Sequence, residues 1–224
     1  MSDILIVNKS TLVSSADILA WIPIANQHYA QEFGPVWGVQ GTWYFGDAPV
    51  GAWVFTLQDG IGQPSDLAYH YTDATGKPDA FIDAQAAAAS GTDWRQPLDH
   101  EGKEALVDPS CTLFCADGST LRECADPVEE ELIIRSNMPF SNFVYPEWCG
   151  LATGTKFDFN GMLTAGAPST APGGYVERWM GGQYIITYGM KARLNPGYMA
   201  SRLTGRRAFR AANRPPPAPI DLSR

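Results

Sequence analysis

One short run of the sequence combines side chains that bind metal ions with a side chain that can move protons. His100, Glu101 and Glu104 stand in the order HExxE, in a chain that has three histidines in all. On an α-helix, positions i and i+4 lie on one face, so His100 and Glu104 would offer a nitrogen and an oxygen to one ion. Glu101 would lie beside them. The spacing therefore predicts a metal site on a helix, with His100 and Glu104 as ligands.

The same residues are suited to hydrolysis. A catalytic zinc ion needs three protein ligands and an open position for water, whose pKa the ion lowers towards about 7. Glu101 is the candidate general base for that water. Glu104 in place of a second imidazole adds negative charge, which weakens the Lewis acidity of the ion and favours harder cations. The expected ion is zinc, with calcium, magnesium or no metal as the alternatives.

A plainer interpretation accounts for the same residues without a metal. His100 and Glu104 would form a polar pair on the helix, with Glu101 and Lys103 solvated beside them. The acidic run at 126–131 either binds a cation or forms a charged edge strand that discourages aggregation. His28 is expected to be a surface or packing residue and not a ligand. Both interpretations stay open at the level of sequence.

The elements that must position these residues are readable from the pattern. Pro97 is tolerated in the first turn of the HExxE helix, and Asp108 with Pro109 ends it, whereas Gly102 costs on the order of 1 kcal/mol relative to Ala. The branched apolar run at 4–8 predicts a buried strand. Serines and an aspartate at 14–17 predict a helix start, and Pro23 is expected to kink or divide that helix.

Four further strands are predicted before the HExxE helix. Segments 42–45 and 52–57 read as two strands joined by a turn, and 67–71 and 80–83 follow them. His70 alternates with Tyr69 and Tyr71, so its side chain should face the opposite side of the sheet and could line a cleft. Beyond the helix, 111–124 reads as a hairpin that 126–135 continues, and the chain to about residue 200 is rich in turns and short strands.

Composition narrows the class of protein. The chain has 224 residues, of which 45% are hydrophobic and 18% charged, so it can bury a substantial core in one large domain. It has no apolar run of about 18 residues and no signal-peptide pattern, which favours a cytosolic protein without a membrane span. No GxSxG, GxxxxGK[ST] or GxGxxG motif follows a predicted strand.

The C-x3-C spacing of the first two cysteines is too loose for a zinc or redox motif. Free thiols are expected, with a disulfide as the alternative.

Charge is divided unevenly along the chain. Residues 1–200 carry ten Lys and Arg against 23 Asp and Glu, while 201–224 carry six Arg and one Asp. The acidic body disfavours general nucleic-acid binding, and the basic tail suits contact with an acidic protein surface. The proline-rich run at 215–219 must be extended chain. We therefore expect a single domain over 1–200 and an Arg/Pro-rich extended arm over 201–224, with a solvated tail as the alternative.

Several blocks of sequence in order resemble a group of zincin-like proteins encoded by bacteriophages, prophages and bacterial genomes. The resemblance spans about residues 7–176. Its blocks are VNKST at 7–11, FGPVWG at 33–38, GAWV at 51–54, AYH at 68–70, HEGKEALVDP at 100–109, CADPVE at 124–129, SNFV at 141–144 and PGGY at 172–175.

The resemblance implies an α+β, zincin-like fold in which a small mixed sheet backs the HExxE helix, with a β-rich second half. By matching positions it implies His100 and Glu104 as metal ligands and Glu101 as general base. The third ligand is then one of Asp126, Glu129 or His70. The family pattern usually has two apolar residues where Gly102 and Lys103 stand, and this departure argues against a conventional protease.

Two functional hypotheses follow. The first is a phage virion-associated structural or accessory protein, such as a head or tail decoration or cement-like protein, that keeps the fold with a degenerate metal site. It would be made in the host cytoplasm, reside in the virion, and dock on other virion proteins through its arm in a homo- or hetero-oligomeric assembly. The alternative is a zinc-dependent metallopeptidase that uses the HExxE helix.

Overall fold

The first strand, β1 (Ser2–Asn8), is an interior strand of the main sheet, with a neighbouring strand on each side. The structure, a computed structural model, describes residues 1–62 and 67–189. Ile4 and Ile6 of β1 are buried. The other elements are α1 (Ser15–His28), a π-helical turn (Tyr29–Phe33), α2 (Gly34–Trp37), β2 (Gly41–Phe45), β3 (Trp53–Gln58), β4 (Ala68–Thr72), β5 (Pro78–Asp83), α3 (Ala84–Ser90), α4 (Arg95–Val107), a 3₁₀ turn (Asp126–Val128), β6 (Leu132–Arg135), β7 (Met138–Ser141), β8 (Tyr175–Met180) and β9 (Gln183–Tyr188).

The main sheet is mixed and has five strands in the order β2-β1-β3-β5-β4. β4 runs antiparallel to β5, and the other pairs are parallel. The expected strands at 42–45 and 52–57 are present, but they do not pair with each other. β1 lies between them, and Ile4 pairs with Trp43 on one side and Trp53 on the other. A turn between two strands does not fix their pairing when a third strand can lie between them and pair with both.

The start of α1 follows the capping pattern in the sequence. Ser14 is the N-cap, and its hydroxyl accepts a hydrogen bond from the backbone N–H of Asp17 at 3.1 Å. The helix continues through Pro23 to His28 and then passes into the π-helical turn, so Pro23 does not divide it. Trp21 packs on Trp43 of β2, with ring centroids 5.1 Å apart. This contact holds α1 against the sheet.

The most buried helix in the described chain is α4. Every residue from Pro97 to Val107 is buried, because the helix lies between the strands β4 and β5 on one side and β7 on another. Gly102 has a packing reason: a Cβ atom there would lie 2.3 Å from Cζ2 of Trp43 and 2.7 Å from the hydroxyl of Tyr29. Glycine therefore lets α4 approach the aromatic core closely enough to bury its polar side chains.

The second half is built of short strands and long connections. The expected hairpin at 111–124 is reduced to an isolated bridge between Phe114 and Leu121, and β6 pairs with β7 and β8 with β9. The expectation of four free thiols is wrong, because Cys115 and Cys149 form a disulfide while Cys111 and Cys124 are free and buried. The fold is mixed α+β. The predicted arm at 201–224 lies outside the described residues. Within 1–62 and 67–189, no helix has the length and apolar character needed to cross a membrane.

Candidate metal centre

Two side chains of α4 and one of the 3₁₀ turn meet in the interior. Nε2 of His100 lies 3.2 Å from Oε1 of Glu104, one helical turn further along. The same nitrogen lies 3.1 Å from Oδ1 of Asp126, which the 3₁₀ turn holds against the helix. His100 is 6% exposed, Glu104 3% and Asp126 1%. The structure thus brings together the two ligands predicted from the HExxE spacing and one of the three candidates for the third ligand.

Backbone groups fix this arrangement. The N–H groups of Ala125 and Asp126 donate to Oε1 of Glu104 at 3.2 and 3.1 Å. On the other side of the ring, Nδ1 of His100 lies 3.4 Å from the hydroxyl oxygen of Ser141. Nε2 of His100 therefore faces two carboxylates. An imidazole nitrogen can stay buried against two carboxylates only if a proton or a cation lies between them.

His70 contacts the same helix from the sheet. As the strand alternation predicts, Tyr69 and Tyr71 pack with Phe81 on one face of β4, while His70 faces α4. Its Nδ1 lies 2.8 Å from Oε2 of Glu101 and 4.0 Å from Oε2 of Glu104. Glu101, the predicted general base, is therefore held by His70 and is 6% exposed.

The buried groups of histidine, glutamate and aspartate could hold a metal ion. One set consists of His100, Glu104 and Asp126, and a second consists of His70, Glu101 and Glu104. The ligand atoms of each set lie within 4.8 Å of one another. A tetrahedral ion with bonds of about 2.0–2.2 Å separates its ligand atoms by about 3.3–3.6 Å. The distances from His100 to Glu104 and Asp126 come close to this requirement.

Burial and mutual contact shift the pKa values of these groups. Burial and then the charge of Asp126 raise the pKa of Glu104 to about 8. Burial opposes the charge on His100, but Glu104 and Asp126 outweigh it and hold the pKa of His100 well above its usual value. Burial also works against ionised Glu101, yet the hydrogen bond with His70 lowers the pKa of Glu101. The lowered pKa of Glu101 favours its ionised form beside His70, and the raised pKa values of Glu104 and His100 favour their protonated forms when no cation is bound.

Lys103 is not solvated, so the plainer interpretation of the helix is wrong on this point. It is 0% exposed, and its ammonium group lies 2.6 Å from Oδ2 of Asp99 and donates to the carbonyl of Ser141. Asp99 also accepts a hydrogen bond from the N–H of Ser141 at 2.8 Å. The i,i+4 spacing of Asp99 and Lys103 was the available sequence signal for this pair. It ties α4 to β7.

Glu129 lies beside the site but outside the three-residue ligand sets. It lines a small cavity of about 30 Å³ together with His100, Glu101 and Pro97. A cavity of this size has room for about one water molecule. The acidic run is not an edge strand at this point, because Asp126 stands in the 3₁₀ turn and is buried.

The remaining histidine packs as expected. His28 is buried, its Nδ1 lies 2.6 Å from Oε2 of Glu32, and its ring packs on Phe140 with centroids 4.9 Å apart. Two polar residues near His70 were not expected at the site. Cys111 and Glu123 form a third buried set with His70. No standard motif spacing links a cysteine at 111 with a glutamate at 123, so only the fold reveals the set.

Comparison of the chain with known protein families, with curated proteins and with solved structures finds no match.

Proposed function

We propose that this protein binds one divalent cation through His100, Glu104 and Asp126, on a zincin-like α+β fold. The observation that carries the proposal is the convergence of these three side chains from α4 and the 3₁₀ turn, with His100 Nε2 3.2 Å from Glu104 and 3.1 Å from Asp126. The five-stranded sheet beside α4 supports the zincin-like assignment made from the sequence blocks.

Zinc is the ion that the donor set fits best. It takes four ligands and accepts imidazole nitrogen together with carboxylate oxygen. Calcium takes six to eight oxygen ligands, and magnesium keeps several waters in an octahedral shell. The buried set offers one nitrogen and two carboxylates, and the adjoining cavity has room for about one water. That combination supplies the ligand number of zinc more readily than that of the harder ions.

The role we propose for the cation is structural. Glu104 and Asp126 are 22 residues apart and are joined at present by hydrogen bonds between a carboxylate and backbone N–H groups. A cation bound to both would cross-link α4 to the turn that leads into β6. The site is buried, and the cavity next to it is too small for a peptide chain. These features favour a bound ion that stabilises the fold over turnover of a protein substrate.

For the biological setting we propose a phage virion-associated structural or accessory protein. The resemblance of eight sequence blocks to phage-encoded zincin-like proteins supports this setting. The Arg-rich segment 201–224 beside an acidic body would dock on neighbouring virion proteins through complementary charge. Deleting 201–224 should abolish association with assembled particles, as followed by sedimentation. Unchanged association of the truncated protein would refute the docking role.

Thermal unfolding tests the proposed cation. Zinc at about 100 times its Kd should stabilise the folded state by about 2.7 kcal/mol, which raises Tm by about 5–10 °C for a domain of this size. The shift should be smaller in His100→Gln than in the wild type and undiminished in the control His28→Gln. A wild-type Tm that is the same in EDTA and in zinc would refute the proposal.

A metallopeptidase is the second candidate, and one observation favours it. Glu101 lines the cavity beside His100, where a carboxylate could accept a proton from a bound water. A zinc ion there would lower the pKa of that water. The peptidase hypothesis predicts cleavage of unfolded casein that is lost in Glu101→Gln while zinc content is retained. If Glu101→Gln keeps the full function of the wild type, the peptidase hypothesis is refuted and the structural role of the cation remains.

A further inference from the structure

The imidazole of His70 is held in a way that leaves one nitrogen for a ligand. Nδ1 lies 2.8 Å from Oε2 of Glu101, so Nδ1–H donates to that carboxylate. Histidines that bind metals characteristically donate their other ring N–H to a carboxylate in this way. Nε2 of His70 is buried and has no hydrogen-bond partner within 1–62 and 67–189, in a residue that is 4% exposed. A buried ring nitrogen that lacks a partner is costly, and a bound cation would satisfy it.

Two further ligand types stand next to this histidine. Sγ of Cys111, a carboxylate oxygen of Glu123 and a ring nitrogen of His70 all lie within 4.8 Å of one another. Cys111 and Glu123 are each 2% exposed. This set shares His70 with the set of Glu101 and Glu104, and shares no residue with the set of His100. Its residues come from β4 and from the connection between α4 and the 3₁₀ turn, with Glu123 three residues before Asp126.

The backbone at Cys111 is held in an unusual conformation. Its φ is +54°, in the left-handed region that residues other than glycine seldom adopt. Its N–H donates to the carbonyl of Asp108 at 3.1 Å, and its Sγ lies 3.8 Å from the carbonyl oxygen of His70. The side chain of Asp108 accepts hydrogen bonds from the N–H groups of Thr112 and Leu113, which fixes the connection on the other side. These contacts keep the thiol beside β4.

We propose that His70, Cys111 and Glu123 form a second metal site, which takes zinc or another cation that accepts a thiolate ligand. Nε2 of His70, Sγ of Cys111 and a carboxylate oxygen of Glu123 are its protein ligands. Mixed sulfur, nitrogen and oxygen donors are typical of zinc and exclude magnesium and calcium. Glu101 is a positioning residue, because it orients His70. The site has no ligand in common with the cation proposed at His100, so either can exist without the other.

Cobalt(II) provides the test, because cobalt bound to a thiolate has a sulfur-to-metal charge-transfer absorption in the near ultraviolet. Cobalt(II) is added to the full-length, EDTA-stripped protein with the Cys115–Cys149 disulfide intact, which leaves Cys111 and Cys124 as the free thiols. The wild type should show the charge-transfer band. Cys111→Ser should lose it, and the matched control Cys124→Ser, which removes the other buried free thiol, should keep it.

Two histidine variants separate this site from the one at His100. His70→Gln should lose the charge-transfer band. If circular dichroism shows that Cys111→Ser does not fold, His70→Gln provides the test in its place. His100→Gln should keep the band and bind one equivalent of cobalt less. The proposal is overturned if the folded wild type shows no band, if the band survives Cys111→Ser or His70→Gln, or if it depends on Cys124. If His70 and Cys111 are joined by a hydrogen bond and bind no metal, the folded wild type will show no band.

Discussion

Nε2 of His100 lies 3.1 Å from Oδ1 of Asp126, a residue 26 positions further along the chain. The contact joins the middle of α4 to the 3₁₀ turn, and Glu104 completes it through hydrogen bonds to the backbone of the same turn. Two carboxylates and one imidazole are thereby buried face to face. The proposed cation would balance the negative charge of the two carboxylates. It would take the place of protons in the contact between His100, Glu104 and Asp126.

Substitution of Asp126 and of its neighbour Glu129 should distinguish the proposed third ligand from a residue that only lies nearby. Asp126→Asn keeps the volume of the side chain but removes the charge, so zinc affinity should fall by at least about 100-fold. Glu129→Gln is the matched control, because Glu129 lines the adjoining cavity but is outside the ligand sets. Competition with a zinc-chelating dye measures both affinities. Equal losses in the two variants would show that the interaction is not specific to Asp126.

Gly102→Ala should destabilise the protein although alanine is the better helix former. The helix propensity gain is about 1 kcal/mol, but the added Cβ would meet the buried rings of Trp43 and Tyr29. Overpacking of this kind costs about 1–3 kcal/mol, and the closest approach of 2.3 Å places it at the upper end. Urea unfolding gives the change in the free energy of unfolding.

The variant Trp43→Phe provides the control for Gly102→Ala. Phenylalanine lacks the indole atoms Cζ2 and Cη2, which the new Cβ would approach at 2.3 and 2.8 Å. In a double-mutant cycle, Gly102→Ala should therefore cost less in the Trp43→Phe background than in the wild type. Stabilisation of the wild-type background by Gly102→Ala would contradict the close packing of α4 on β2.

Lys103→Met should cost about 3–5 kcal/mol, because it leaves the Asp99 carboxylate buried without its cation. Asp99 and Lys103 are both 0% exposed, so water cannot replace the lost partner. The double variant Asp99→Asn/Lys103→Met should cost less than the sum of the single variants. Urea unfolding of all three proteins measures this coupling. A cost below about 1 kcal/mol for Lys103→Met would place that side chain in solvent, against the structure.

His28 should make the protein less stable as the pH falls below neutrality. Burial, and then the positive charges of Lys103 and Arg135, lower the pKa of His28 from 6.5 to about 2. Nε2 of His28 has no hydrogen-bond partner among the described residues, which agrees with a neutral ring. Below about pH 6.5 the unfolded chain therefore binds a proton that the folded chain does not. The free energy of unfolding should fall by up to about 1.4 kcal/mol per pH unit from this residue.

The measurement for His28 is urea unfolding between pH 7 and 5. His28→Gln lowers stability at all pH values by loss of packing, but it should flatten the dependence on pH relative to the wild type. An identical slope in the two proteins would show that His28 is protonated in the folded state, through its 2.6 Å contact with Glu32.

Local sequence patterns predict the helices and strands that carry the site. They do not predict which of these elements contact one another. The N-cap at Ser14, the end of α4 at Asp108 and the facing of His70 depend on residues a few positions apart, so the sequence specifies them. The choice of Asp126 over Glu129 depends on a 3₁₀ turn packing against α4, which no short-range pattern encodes. The spacing of Asp99 and Lys103 indicates their pairing, but the burial of this pair does not follow from it, because charged residues on a helix are usually solvated and α4 is buried on all sides.

Isothermal titration calorimetry with zinc tests the central claim most directly. EDTA-stripped wild type and His100→Gln are titrated under the same conditions, and Glu129→Gln serves as the control. The cation site predicts that wild type and Glu129→Gln share a binding event that His100→Gln lacks, with Kd in the micromolar range or tighter. A wild-type isotherm that matches that of His100→Gln in stoichiometry and heat would contradict a cation held by His100, Glu104 and Asp126.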